Sequence, residues 1–183
     1  VIQTSTPEHP VIELVRNNAE RASTTSETQV LLSIPAEQTQ NETTYDADAM
    51  PLVSIPFKAE ATLPTGRKIT AGELTMTAVA AIAEFEIYST FPGFTDQQIL
   101  SVEWTAEGLA GNFTWDFASE NPSLGTLTGN SAKTTVNTTE SVAATKQDAA
   151  KIYMVVAPGQ HAGAIKVKTT EAEYTLTLAE ALT

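Results

Sequence analysis

Alternation dominates the chain. Val79, Ala81, Ala83, Phe85 and Ile87 recur at every second position of Thr77–Tyr88, and from Ile82 onward the positions between them carry Glu84, Glu86 and Tyr88. A period of two with one apolar and one charged face belongs to a strand that buries one side and wets the other. A helix would set Glu84 and Phe85 on neighbouring faces and leave no clean stripe. The pattern predicts a central strand of an antiparallel β-sandwich, either continuous or two strands joined at a bend within Ile69–Tyr88.

Other segments repeat the signal. Gln29–Ile34 reads as a strand stopped by Pro35, and Pro35–Tyr45 as a polar connector. Pro56 and Pro64 bracket Phe57–Leu63, a short strand suited to an edge. Leu100, Val102 and Trp104 alternate on one strand, and Phe113, Trp115 and Phe117 on the next. With Glu107-Gly108 between them, Ile99–Ala106 and Leu109–Phe117 are expected to form a hairpin, and Gly111 to mark a bulge. Ala118–Ala150 is polar and predicts a long excursion with weak edge strands such as Lys133–Thr138. Lys151–Ala157 is a near-continuous apolar strand ended by Pro158-Gly159, and Gln160–Gly163 reads as the turn to Ala164–Thr169. Tyr174, Leu176 and Leu178 alternate on the last strand. The expected organisation is an N-terminal arm and linker over residues 1–45 and one all-β sandwich domain over 46–183.

Composition narrows the functional classes. The 183 residues carry 10 Lys+Arg against 22 Asp+Glu, a formal net charge of -12. That balance cannot neutralise a row of phosphates, so nucleic acid and anionic membrane surfaces are poor partners. There is no cysteine, which excludes thiol catalysis, zinc thiolates and disulfides. No run approaches the roughly 18 apolar residues of a membrane span. Val1 is not an initiator methionine, and the chain is expected to be a processed or truncated form.

Candidate chemistry is sparse. Asp46 and Asp48 are two carboxylates without further oxygen ligands, a pattern that reads as a turn rather than a cation site. His9 and His161 lie in no catalytic motif, and His161 is expected in a solvated turn. Glu84 with Glu86, and Glu171 with Glu173, are read as solvated charge on strand faces rather than as glycosidic acid–base pairs. No phosphate cradle or metal cluster appears, so no cofactor, metal or catalytic residue is assigned. Arg16 and Arg21 lie in or beside the polar stretch Arg16–Gln29, where a protease could cut an exposed loop. Phe91, Phe94, Trp104 and Trp115 are candidate stacking surfaces for sugar rings, with core packing the competing reading.

Three stretches taken together resemble a known family. They are Asp48-Ala-Met-Pro-Leu52; the block Leu74–Tyr88 followed by Ile99-Leu-Ser-Val-Glu-Trp104 and Gly111-Asn-Phe113; and Ile152-Tyr-Met-Val-Val-Ala-Pro-Gly159 followed by a strand and a final Tyr-Thr-Leu-Thr-Leu178. Their order and spacing over Asp46–Thr183 resemble the fimbrillin-like surface proteins of Bacteroidales, subunits of type V pili. The resemblance implies transthyretin-like, Greek-key sandwich domains and export to the outer membrane as a lipoprotein. It also implies proteolytic loss of an N-terminal strand, here near Arg16 or Arg21, and assembly into a fimbrium by strand donation between subunits. Partners would be other pilus subunits and host or bacterial surface receptors. A glycan-binding surface module is the alternative. The chain departs from the family in lacking a lipidated cysteine, in showing one clear domain where two are usual, and in lacking a closing strand after the last hairpin.

Overall fold

Threonine and β-branched residues at a two-residue repeat favour the pleated, half-buried backbone. The computed structural model describes residues 2–6, 9–13, 15–16, 23–24, 29–40, 44–54, 57–58, 60–61, 69–70, 75–116, 124–131 and 133–182, and among them every regular element is a strand. In chain order these are β1 (Ile2–Thr6), β2 (His9–Glu13), β3 (Val15–Arg16), β4 (Ser23–Thr24), β5 (Gln29–Ile34), β6 (Glu37–Thr39), β7 (Leu52–Ser54), β8 (Phe57–Lys58), β9 (Glu60–Ala61) and β10 (Ile69–Thr70). There follow β11 (Met76–Ala78), β12 (Ala81–Ile87), β13 (Ile99–Thr105), β14 (Ala110–Asp116), β15 (Leu124–Ser131), β16 (Thr134–Asn137), β17 (Ala150–Val156), β18 (Ala164–Thr169) and β19 (Glu173–Thr177).

Two larger sheets, β19-β18-β13-β16-β6 and β15-β14-β5-β4, frame the pair β12-β17. Three small sheets, β1-β2-β8, β10-β9 and β11-β7-β3, complete the described pairing. Among the named strands pairing is antiparallel except between β16 and β6, which run parallel, and an isolated parallel bridge joins Tyr88 to Ala143.

β17 explains how these sheets meet. Ile152, Met154 and Val156 point into a core built with Ile99, Val102 and Trp104 of β13, Val136 of β16 and Ile165 of β18, and the inward row of β12 packs against it. On the opposite face, Val155 and the following Ala157 pack with Ile34, Met50, Ala110 and Phe113. A strand covered on both faces reads as a continuous apolar run, as Lys151–Ala157 does. A third cluster joins Val30 and Leu32 of β5 and Trp115 of β14 to Val53 of β7.

Several expectations change. The Ile99–Ala106 and Leu109–Phe117 strands exist as β13 and β14 but form no hairpin: β13 pairs with β16 and β18, and β14 with β15 and β5. Gly108 supplies the turn with φ of 76°, yet Leu109 is fully buried and its carbonyl accepts the Ala157 N–H at 2.8 Å. That contact fixes the crossing beside β17 and sends β14 into the other sheet. Alternation reports which face a residue takes, and nothing about which strand lies next to it. Gly111, with φ of 139°, does sit at a register shift between Ala110 and Asn112.

Upstream of residue 45, β5 is an inner strand, its Leu32 and Ile34 almost completely buried, and β6 joins the five-stranded sheet. Thr77–Tyr88 divides into β11 and β12 at Val79-Ala80, and among the described residues β12 pairs with β17 alone, which makes it an edge. Lys133–Thr138 yields β16, an inner strand between β13 and β6. Phe117 lies outside the described residues.

Candidate functional site

The two edges of the β12-β17 pair are treated differently by the chain. Gln38 and Gln40, two positions apart on and just after β6, reach the outer edge of β17. Gln38 accepts the Val155 N–H at 2.8 Å through Oε1 and donates Nε2–H to the Val155 carbonyl at 2.7 Å. Gln40 accepts the Tyr153 N–H at 2.8 Å and donates to the Lys151 carbonyl at 2.9 Å. Each carboxamide presents one donor and one acceptor side by side, as a peptide group does, so the two side chains stand in for a neighbouring strand. Nothing in Glu37-Gln38-Thr39-Gln40 distinguishes this from an ordinary polar connector, and the sequence reading missed it.

These bonds also orient the opposite edge. In an antiparallel ladder, facing residues either exchange both hydrogen bonds or both turn their polar groups away. Val155 faces Ile82, Tyr153 faces Glu84 and Lys151 faces Glu86. Since the β17 members turn to the glutamines, Ile82, Glu84 and Glu86 turn their N–H and C=O groups to the far side of β12. No strand pairs with that side among the described residues.

Beside this edge, the facing sheet continues one strand further than the β12-β17 pair covers. Val102, Val167 and Tyr174 share a face across β13, β18 and β19, as do Trp104, Ile165 and Leu176. Trp104 is 2% exposed and Ile165 8%, but Leu176 is 62% exposed. A core-facing leucine in the open means that the cover ends before the row does. Inward residues of β12 itself, Ala81, Ala83, Phe85 and Ile87, are only half-buried.

The gap deepens at the C-terminal end of β12 into a cavity of about 330 Å³. Ile87, Tyr88, Phe91, Phe94, Val167 and Tyr174 supply its apolar walls, with Gln97 and Thr169 among its polar lining. Phe91-Pro92-Gly93-Phe94 is a turn closed by the Phe94 N–H to Phe91 C=O bond at 3.2 Å. Gly93 adopts φ of 94°, and Pro before such a residue is the type II arrangement. The phenylalanines at its two corners meet edge to face at 6.4 Å, and Phe94 meets Tyr174 at 5.5 Å. Gln97, buried, donates to the Gly93 carbonyl at 2.6 Å and accepts the Thr169 hydroxyl at 2.7 Å, tying the turn to β18. The next turn residue, Asp96, holds φ of 69° and donates its N–H to Val142 C=O at 3.0 Å.

The outer face of β12 is acidic. Lys151 Nζ lies 2.6 Å from Glu84 and 3.9 Å from Glu86, so one ammonium serves two carboxylates. Its hydrogen bond to Glu84 raises the lysine above its ordinary pKa. Elsewhere Lys133 bonds Glu103 at 2.8 Å and lowers that carboxyl's pKa.

The aromatic residues read as candidate stacking surfaces separate into two groups. Trp104 and Trp115, at 2% and 8% exposure, are core residues, and a ring so enclosed offers no face to a sugar. Phe85 and His161 pack edge to face on Trp104 at 6.0 and 5.8 Å, and its indole N–H donates to Ala162 C=O at 3.3 Å. Phe91, 68% exposed, and Phe94 remain at the surface and come together. His161 is buried rather than solvated, its Nε2 2.8 Å from the Ala157 carbonyl. The side chain of His9 lies outside the described residues.

Arg16 is the last residue of β3, opposite Leu52 of β7, and Arg21 lies outside the described residues. Asp46 is a turn residue: its carboxylate accepts the N–H groups of Asp48 at 3.0 Å and Thr39 at 3.1 Å. Among the described residues no group of three or more His, Cys, Asp or Glu side chains is arranged to hold a metal, and no helix is long and apolar enough to cross a membrane.

Compared with protein-family models, curated proteins and solved structures, the chain matches none.

Proposed function

We propose that this chain is a non-catalytic structural subunit, pilin-like or adhesive, of a fimbrium on a bacterial cell surface, joined to its neighbours by β-strand addition. One observation carries the reading. Among the described residues, no strand pairs with the N–H and C=O groups on the free edge of β12 and none covers the core-facing side chains directly beside it. Edges of this kind are what other chains pair with, and proteins that avoid association blunt them. In this reading the β12-β17 pair and the five-stranded sheet are the two leaves of a transthyretin-like, Greek-key sandwich with one strand position open. β1 to β3 form the extended N-terminal arm. Cleavage after Arg16 would release it and open the β7 edge as well, because β3 is the strand that pairs there. The partners are other subunits, copies of this chain or relatives, with surface receptors beyond them. The setting is the outer membrane, with a lipid anchor in the precursor.

The absence of cysteine makes the test direct, since one introduced thiol is unique. Glu84→Cys, carrying a photo-crosslinker at the β12 edge, is expected to give a ladder of covalent multimers on the bacterial surface. The same label at the exposed Lys168 of β18 should give none. A chain that stays at single mass from the Glu84 site would overturn the reading. The second reading, a surface glycan-binding module, draws on the exposed Phe91 and its contact with Phe94.

A further inference from the structure

The cavity at the end of β12 has features that strand addition alone does not require. A turn of defined geometry fixes Phe91 and Phe94, and Gln97 braces that turn from below. The lining residues contributed by β18 and β19, namely Val167, Thr169 and Tyr174, belong to the facing sheet. At about 330 Å³ the space lies at the small end of the range of ligand sites, roughly 300–1,000 Å³.

Its chemistry selects among occupants. The polar groups at the base of the cavity, Gln97 and Thr169, are already engaged within the protein. Gln97 uses its amide hydrogens on Gly93 C=O and Glu171, and its oxygen on the hydroxyls of Thr169 and Tyr174. Thr169 Oγ1 also accepts the Ala172 N–H at 3.1 Å. A sugar seated against Gln97 and Thr169 would bury hydroxyls opposite groups already bonded to one another, and each buried hydroxyl left unpaired opposes binding. A ring or branched alkyl group meets edge-to-face aromatics and aliphatic walls at no such cost. The position adds a second constraint. The cavity is continuous with an open strand edge, so an extended chain paired to β12 would turn alternate side chains toward the groove, with the cavity at the end of its path.

Charge narrows the partner. One lysine balances two glutamates on the outer face of β12. Pairing β12 with β12 of a second copy would set Glu84 and Glu86 beside the same residues, because facing residues share a face, and like charges so placed are destabilising. Lysine or arginine on the outward face of the incoming strand complements the row.

We infer that the cavity walled by Phe91, Phe94, Val167 and Tyr174 is a side-chain pocket for one aromatic or large aliphatic residue of a partner polypeptide, carried on an extended segment whose outward residues are basic. The inference rests on strand addition at β12 and deepens it.

The test uses the full chain and short synthetic peptides that alternate lysine with valine. In one set a single valine position, moved along the peptide, carries phenylalanine; in the matched set it carries alanine. The best phenylalanine peptide is expected to bind about tenfold or more tighter than its alanine partner, the scale of burying one such side chain. Val167→Trp, which fills the pocket, should erase that advantage. Phe94→Ala, a second variant that leaves the strands untouched, should reduce it. Equal binding of the two sets would overturn the pocket and leave strand addition standing. Failure of every peptide to bind would overturn both. A panel of simple disaccharides that shifted the Phe91 and Phe94 resonances, where the phenylalanine peptide did not, would overturn the pocket in favour of a sugar site.

Discussion

The two edges of the β12-β17 pair make the most informative contrast in the molecule. Both are backbone edges of one two-stranded unit. On the β17 side, side-chain amides of Gln38 and Gln40 bond the Val155 N–H and C=O, the Tyr153 N–H and the Lys151 C=O, in the place of a neighbouring strand. On the β12 side, Ile82, Glu84 and Glu86 turn their polar groups outward, and the apolar row of the facing sheet runs on uncovered to Leu176. The fold therefore has a means of closing an edge and, among the described residues, applies it to one side only. Unpaired edges invite association, and under the proposed function this asymmetry would direct it to the β12 side.

The contrast breaks most severely at Gln38. Gln38→Ala strips a buried N–H and a buried C=O of their partners, at about 1–3 kcal/mol each, so a loss of about 2–6 kcal/mol is expected by urea denaturation. Gln40→Ala should cost less, because its contacts are part-buried. If Gln38→Ala were neutral, the amides would not be closing the edge.

The next largest effect compares two residues that face each other on one sheet surface. Ile165 and Leu176 are direct partners across β18 and β19. Ile165→Ala should destabilise the isolated chain by about 2–5 kcal/mol, and Leu176→Ala by about 0.5 kcal/mol or less, because solvent already surrounds it. Bound to a strand-donating partner, Leu176→Ala should weaken the complex, measured by calorimetry. Equal costs in the isolated chain would mean that the row is covered after all.

The face taken by most residues was legible in the sequence where alternation was strong. Ala81, Ala83, Phe85 and Ile87 do point inward, and Ile152–Ala157 is largely buried, but Leu100 departs from its row: a register shift between Ile99 and Ser101 leaves Ile99 buried and Leu100 37% exposed. Neighbours were not legible. Trp104 and Trp115 lie on strands joined by four residues, yet they enter different clusters, because Leu109 and Ala157 fix the crossing and neither advertises it. Phe91-Pro92-Gly93-Phe94 announced a turn bearing two aromatics, since Pro and Gly set its backbone locally. That Gln97 ties it to Thr169, 72 residues away, depends on tertiary placement. Gln38 and Gln40 were invisible for the same reason: an amide that imitates a strand looks, in sequence, like any solvated glutamine.

Residue-resolved amide hydrogen exchange across β12 and β17 tests the account most directly. In the isolated chain, Ala83, Phe85 and Ile87 should exchange slowly through their bonds to β17, and Tyr153 and Val155 slowly through Gln40 and Gln38. Ile82, Glu84 and Glu86 should exchange fast, and slow down when a strand-donating partner is added. Equal protection of these six β12 amides in the isolated chain would contradict it, for the edge would then already be filled.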